Sequence, residues 1–275
     1  MNLPKSRWRL VRSQPATGAW NMAVDEAILE AVGRGSSLPT LRLYAWEPPC
    51  LSLGYAQPAA DVNMEGLTRL GWDFVRRPTG GRAILHTDEL TYAVIAPLHE
   101  PRVMGSVLES YSRLAQALLN ALQILSLPAL ARDTYETSSR NTNPICFEVP
   151  SNYEITVDGK KLIGSAQARR KEGVLQHGSL PLCGDLARII EVMKFEENSN
   201  EKSEAAHRLL DRATTVEQIL QHPVGWEQAA EAFKAAFERS LNLEFEPDGL
   251  SPNELARAEE LSRMKYGSDE WNKRV

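Results

Sequence analysis

Residues 152–182, NYEITVDGKKLIGSAQARRKEGVLQHGSLPL, carry the clearest strand signal in this chain. The run 152–157 alternates apolar and polar side chains, as a half-buried strand does. Asp158-Gly159 then supplies a dipeptide that admits the positive φ of a tight hairpin turn. Residues 160–170 form the return strand. Arg170, Lys171, Glu172 and Gly173 turn the chain again into 174–182. Three sequential antiparallel strands are therefore expected here, and they place the flanking polar residues Cys146 and Lys161 near one another.

Upstream, residues 18–32 set Met22, Val24, Ala27, Ile28 and Val32 at helical spacing, with Asn21 available as a cap. Residues 41–46 and 50–55 read as two strands separated by the Glu47-Pro48-Pro49 turn. Residues 72–78 read as another strand, followed by a Gly-rich turn at 79–82 and strands at 83–86 and 90–97. A long amphipathic helix is expected over 106–125. Beyond Leu182 the pattern turns helical, at 185–193, 226–242 and 251–264. The charged run 196–204 reads as exposed and mobile. Strands and helices in this mixed order argue for an α+β fold, a mainly antiparallel mixed sheet flanked by helices. Residues 1–183 are expected to form the mixed-sheet core, with 184–275 a helical part packed on it, one catalytic domain in all.

Composition narrows the function classes. The chain has 275 residues, 43% hydrophobic and 24% charged, an ordinary globular balance. A net charge of −5 carries no electrostatic footprint for nucleic acid. A local basic cluster, Arg169, Arg170 and Lys171, can still contact anions, although such clusters are mostly solvated turns. Three widely spaced cysteines form neither a disulfide framework nor a zinc site. Residues 1–14 lack the apolar segment of a secretory signal, and no apolar run approaches membrane-spanning length. A cytoplasmic protein is expected.

The turn in RRPTGGRAILH lets a ligand approach the backbone closely. It matches neither the P-loop nor the dinucleotide fingerprint. Cys146 invites two readings, a small buried hydrophobe or a nucleophile. It follows a polar stretch and precedes the hairpin that carries Lys161, and a nearby ammonium lowers a thiol's pKa from about 8.5. Lys160 and Lys161 are neighbours on a strand, so one should face the site and the other solvent. Cys50 and Cys183 read as structural. His86 and His177 can polarise a carbonyl or serve as hydrogen-bonded structural groups.

Four segments, 76–94, 144–167, 175–182 and 265–272, resemble the biotin/lipoate protein ligase superfamily, nearest to its LipM-type octanoyltransferases, and the likeness extends over 8–272. The resemblance implies a catalytic domain of the class II synthetase and biotin-protein-ligase type. It implies that octanoyl passes from octanoyl-acyl carrier protein to Cys146 as a thioester. From there it moves to a lysine of a lipoyl domain, such as the glycine-cleavage H protein. Cys146 and Lys161 match the family's catalytic positions. Arg77, Thr79, Gly80, Gly81, Arg82 and Ala83 match its acyl-pocket segment. His86, Gly164, Ser165, Ala166, His177 and Gly178 complete the expected substrate-binding set. No cofactor, no nucleic-acid or membrane partner and a monomer are expected. Exchange of one thioester for another needs no activating nucleotide, and a covalent intermediate divides the transfer into two steps.

The rival readings are an ATP- and Mg-dependent lipoate–protein ligase, and an amidotransferase moving octanoyl between lipoyl domains. The ligases more usually carry a third glycine where Arg82 stands. A biotin ligase or repressor lacks support, because no N-terminal helix-turn-helix is legible. A non-catalytic lipoyl-domain binding subunit would have no use for both Cys146 and Lys161.

Overall fold

The computed structural model describes residues 3–132, 154–195 and 200–275. Its organising strand lies within 90–97 of the sequence reading. Glu89–Ala96 is buried at every position. Leu90, Tyr92, Val94 and Ala96 belong to one hydrophobic core, while Ala93 and Ile95 belong to a second. Alternate side chains of a strand point to opposite faces, so this strand is covered on both sides and must sit centrally.

Its neighbours follow. Counting strands in chain order, β1 is Ser6–Arg12, β2 Thr40–Tyr44, β3 Cys50–Leu53, β4 Asp73–Arg76, β5 Ile84–His86 and β6 the central Glu89–Ala96. Then come β7 Leu130–Arg132, β8 Glu154–Val157, β9 Lys160–Arg170, β10 Gly173–Pro181 and β11 Leu243–Pro247. Among the described residues eight strands form one sheet, ordered β11-β1-β2-β6-β10-β9-β8-β7. The β8–β9–β10 meander is antiparallel as expected, and β1 pairs in parallel with both β2 and β11. Asp158 and Gly159 take φ of 49° and 82°, as their hairpin requires. A second sheet, β4-β3-β5, carries the Gly-rich turn between β4 and β5.

Helices cover both faces of the large sheet. α1 (Gly18–Gly33) packs on the Ala93/Ile95 side. The short α2 (Met64–Leu70) lies in a third cluster beside the small sheet. α3 (Val107–Ile124) packs on the Tyr92 side, opened by a capping box between Ser106 and Glu109. α4 (Glu201–Arg212) and α5 (Val216–Leu220) lead to α6 (Trp226–Leu241), which crosses α3 over the sheet. α7 (Pro252–Leu261) lies against α1, a π-helical turn follows at Ser262–Tyr266, and α8 (Asp269–Asn272) closes the chain.

The strands expected at 41–46 and 50–55 both form, as members of different sheets. Three expectations need correction. Asn21 is not the cap of α1; Thr17 is, and Asn21 is fully buried, donating to Ala16 and Ala45 carbonyls. The charged run ends in order, since Glu201–Arg212 is a helix holding Ala205 and Leu209 in the core. Only 196–199 of that run lies outside the described residues. The last third is not purely helical, because β11 joins the sheet beside β1. Arg9 in β1 hid that pairing from a hydrophobicity pattern. It is a buried residue, bound twice to Glu254 at 2.7 and 2.6 Å.

Phe233 is fully buried, its ring 5.9 Å from Tyr92 and 6.3 Å from Phe237. Phe233→Ala is expected to lower unfolding free energy by about 3–5 kcal/mol, read from the urea midpoint. A loss below about 1 kcal/mol would mean that α6 does not clamp the sheet.

Candidate active site

A chain of buried hydrogen bonds builds the site from α1 outward. Arg42 on β2 donates to Asp25 Oδ1 at 2.7 Å, to the Asn21 carbonyl at 2.9 Å and to Asn21 Oδ1 at 2.7 Å. Tyr44 donates to Asp25 Oδ2 at 3.0 Å. The same oxygen faces His177 Nδ1 on β10 at 3.4 Å, and His177 Nε2 meets Thr79 Oγ1 at 2.6 Å. Burial alone would raise the Asp25 pKa, but Arg42 and His177 hold it below the usual carboxylate value. Burial lowers the pKa of His177 despite the pull of Asp25. A neutral ring with its proton on Nδ1, accepting from Thr79, is the tautomer this network assigns.

Thr79 opens the Gly-rich turn, and Arg77 ties the turn into a knot. Its Nε and Nη2 donate to the Gly80 carbonyl at 3.2 and 2.9 Å, and Nη2 also reaches the Arg82 carbonyl at 2.8 Å. Its Nη1 donates to the Ser52 carbonyl at 3.0 Å. Gly81 has φ +96°, and a Cβ there would stand 2.8 Å from Arg77 Nη2, so both conformation and space demand glycine.

Between this turn and the β9–β10 strands lies a narrow cavity. Met22, Trp46, Ile84, Ala166 and bare glycine backbone make most of its wall apolar. Gly178 keeps it open, since a Cβ would fall 2.6 Å from the Gly164 carbonyl. A second polar network forms one side. Ser52 Oγ lies 2.7 Å from His86 Nε2, and His86 Nδ1 lies 2.7 Å from Glu89 Oε1. Ser179 donates to the same Glu89 oxygen at 2.8 Å, and Trp46 stacks on the His86 ring at 3.9 Å. Burial would raise the Glu89 pKa, yet His86, Thr91 and Ser179 together hold it low. Both histidines are thus fully engaged, buried groups that still present a ring edge to the cavity.

The expected site residues separate into groups. Arg77, Gly81, His86, Gly164, Ser165, Ala166, His177 and Gly178 line the cavity. Gly80 and Arg82 line an adjoining open groove, which shares Gly81. Thr79 sits behind the wall as the partner of His177, and Ala83 is a core residue of the small sheet. Lys161 is buried and paired with Glu154, Nζ to Oε1 2.7 Å, outside the cavity wall. Cys146 lies outside the described residues. The expectation that Lys160 faces solvent fails. Its Nζ donates to the Leu210 carbonyl at 2.7 Å, at the C-terminal end of α4, where a cation is favoured. One extra residue, Leu162, sits between the pairs Ile155↔Ile163 and Thr156↔Lys161. That bulge re-aims Lys161 relative to Gly164 and Ala166 beyond it. Asp25, Tyr44, Trp46, Ser52, Glu89 and Ser179 were missed. A charged Asp25 inside an apolar helix repeat was the one available signal.

Comparison with known proteins places this geometry. Residues 17–238 match the model of the lipoyl protein ligase A/B catalytic domain. Octanoyltransferase LipM of Brevibacillus brevis is 39% identical over 98% of this chain and 99% of its own length. The protein of that name from Kyrpidia tusciae is 41% identical over 97% and 98%. Among solved structures, a lipoate-protein ligase A bound with ATP superposes with a TM-score of 0.80 at 24% identity, covering 98% of this chain and 99% of that one. A bipartite lipoate protein ligase from Thermoplasma acidophilum gives a TM-score of 0.79 at 24% identity, over 98% and 96%. These structural likenesses establish the fold, and the expected ligase-like architecture is thereby borne out.

The depressed pKa of His177 has a consequence for stability. An unfolded histidine takes up a proton near pH 6.5, before the buried ring does. Stability tied to His177 is therefore present above about pH 6.5 and lost as pH falls below it. The thermal midpoint is expected to drop between pH 7.5 and 5.5, and His177→Gln to flatten that slope. Equal slopes in both proteins would contradict the buried neutral ring.

Proposed function

We propose that this chain, which belongs to the lipoyl protein ligase A/B catalytic-domain family, is an octanoyltransferase of protein lipoylation. It takes octanoyl from an acyl carrier protein and delivers it to a lysine of a lipoyl domain. The observation that carries the reading is the narrow, largely apolar cavity beneath the Gly-rich turn, in a chain about 40% identical to curated octanoyltransferases along its whole length. Burying some seven methylene-sized groups there is worth about 5 kcal/mol, at roughly 0.8 kcal/mol each.

Cys146 is the proposed nucleophile. Its thiolate attacks the thioester carbonyl, the new C–S bond forms, and the pantetheine thiolate departs and takes up a proton. The target lysine then attacks as a free amine. A C–N bond forms, the bond to Cys146 breaks, and the proton leaving the amine returns to the sulfur. Lys161, anchored on Glu154, supplies a fixed positive charge that favours the thiolate in the first step. A backbone amide at Gly164 or Ser165, beside the cavity, is the candidate donor to the oxyanion. The Arg42–Asp25–His177–Thr79 chain holds the wall rigid. On this route no nucleotide or metal is required, and the chain works in a reducing cytoplasm. No helix of the described residues is long and apolar enough to cross a membrane.

Mass spectrometry after incubation with octanoyl-acyl carrier protein, without ATP, tests the reaction class. An octanoyl adduct on Cys146 is expected, absent in Cys146→Ala. Transfer that proceeds only with ATP, or that survives Cys146→Ala, would assign the chain to the adenylating ligases instead. Lys161→Ala is expected to slow adduct formation by about 100-fold or more, in the range of a lost electrostatic catalytic group. Lys160→Ala should cost far less. Equal losses would remove Lys161 from its proposed role.

A further inference from the structure

The open groove beside the cavity differs from it in every chemical respect. It is lined by Arg82, Arg169, Arg170 and Lys265, with Tyr55 and Trp271 among its walls. None of its described lining residues is acidic. Arg274 adds a further cation, stacked 3.8 Å from the Tyr55 ring and 4.1 Å from that of Trp271. Glu26 is the acid that answers this group, 2.6 Å from Lys265 and 3.6 Å from Arg170. Arg169 turns its guanidinium to the Val103 carbonyl and Ser110 on the α3 side, which leaves Arg170 and Lys265 as the cations on the groove face of β9 and the π-helical turn.

Burial lowers the pKa of Lys265, and Arg170 lowers it further, against the pull of Glu26. A bound anion would favour the charged form of this lysine. The place is also built rather than loose. Lys265 and Tyr266 lie in the π-helical turn, an arrangement that recurs at functional sites. Trp271 donates its indole N–H to the Arg76 carbonyl at 2.8 Å, fixing the wall to the strand that leads into the Gly-rich turn.

Strand β9 joins the two spaces. Gly164 and Ala166 line the cavity, while Ala168 and Arg170 line the groove. Alternate residues share one strand face, so a ligand follows β9 directly from one space into the other, past Gly81. From Ala166 to Arg170 the strand advances roughly 13 Å at about 3.3 Å per residue. This separation decides the chemistry. In an acyl-adenylate the phosphate is bonded to the acyl carbonyl and would sit at the cavity mouth. In a pantetheine thioester the phosphate lies a full arm away, where Arg170 and Lys265 stand.

We infer that the groove is a binding site for the phosphodiester end of an acylated phosphopantetheine arm, with Arg170 and Lys265 at its centre and Arg82 at its entrance. This rests on the octanoyltransferase reading and names the handle by which the donor is held. Phosphate contacts then position the thioester at the cavity mouth, while the apolar cavity takes the acyl chain.

The test compares octanoyl-phosphopantetheine with octanoyl-pantetheine, which differ only in the phosphate. The full-length protein is expected to show kcat/KM about tenfold higher for the phosphorylated arm, as one charge-assisted contact allows. That preference should shrink with added salt. Arg170→Gln should reduce it to about threefold or less, and Arg170→Lys should restore most of it. Octanoyl-carrier protein and octanoyl-coenzyme A, run in parallel, tell whether the phosphodiester of the first or the diphosphate of the second is used faster. Equal use of the two pantetheine thioesters by the wild-type protein overturns the phosphate site and leaves the transferase reading standing. Transfer from none of these donors overturns both.

Discussion

The fold around the site depends on a single buried ion pair, Arg42 with Asp25. Both side chains have no solvent exposure, and their nitrogen and oxygen are 2.7 Å apart. Removing one partner of such a pair typically costs about 3–5 kcal/mol, because the other is left charged in a low-dielectric interior. Here the pair also organises what surrounds it. Arg42 holds α1 to β2 through Asn21, while Asp25 reaches across the sheet to His177 and, through it, to Thr79 in the Gly-rich turn. A helix, two strands and a loop are thereby locked in one register. The apolar cavity lies among them, and its width follows from that lock.

The cavity and the groove divide one ligand between two kinds of physics. Apolar burial in the cavity is proportional to chain length and indifferent to direction. Charge in the groove acts at longer range and fixes orientation. Glycines make the junction possible, with Gly81 and Gly178 removing the side chains that would close it. The C-terminal segment belongs to this arrangement. Asn272 accepts from the Arg76 backbone N–H, and Arg76 in turn binds the carbonyls of Gly54 and Gln57. The chain's last residues thus brace the loop that forms the groove's far wall.

Much of this was legible in the amino-acid order, for reasons that can be traced. The helix over 106–125 announced itself through its amphipathic spacing, and the hairpin through Asp158-Gly159, because these signals are local. Gly80 and Gly81 stood out through their turn, whereas Gly178 was named through the family resemblance. What stayed hidden is non-local. Asn21 resembled a helix cap, but its partners Ala16, Ala45 and Arg42 lie across the fold. Arg9 interrupts the apolar pattern of β1, and Glu254, 245 residues away, neutralises it. Lys160 was assigned to solvent by strand alternation alone, which takes no account of the Leu210 carbonyl at the end of α4. Period-two and period-3.6 patterns report burial against an average neighbour, and these residues have specific polar ones.

The central claim is that the cavity under the Gly-rich turn houses the acyl chain. Ala166→Phe, which places a ring against that space, tests it most directly through the acyl-length profile of transfer. The account predicts that the variant shifts from eight-carbon donors to markedly shorter ones while still transferring the short chains. An unchanged preference for octanoyl would show that the chain lies elsewhere.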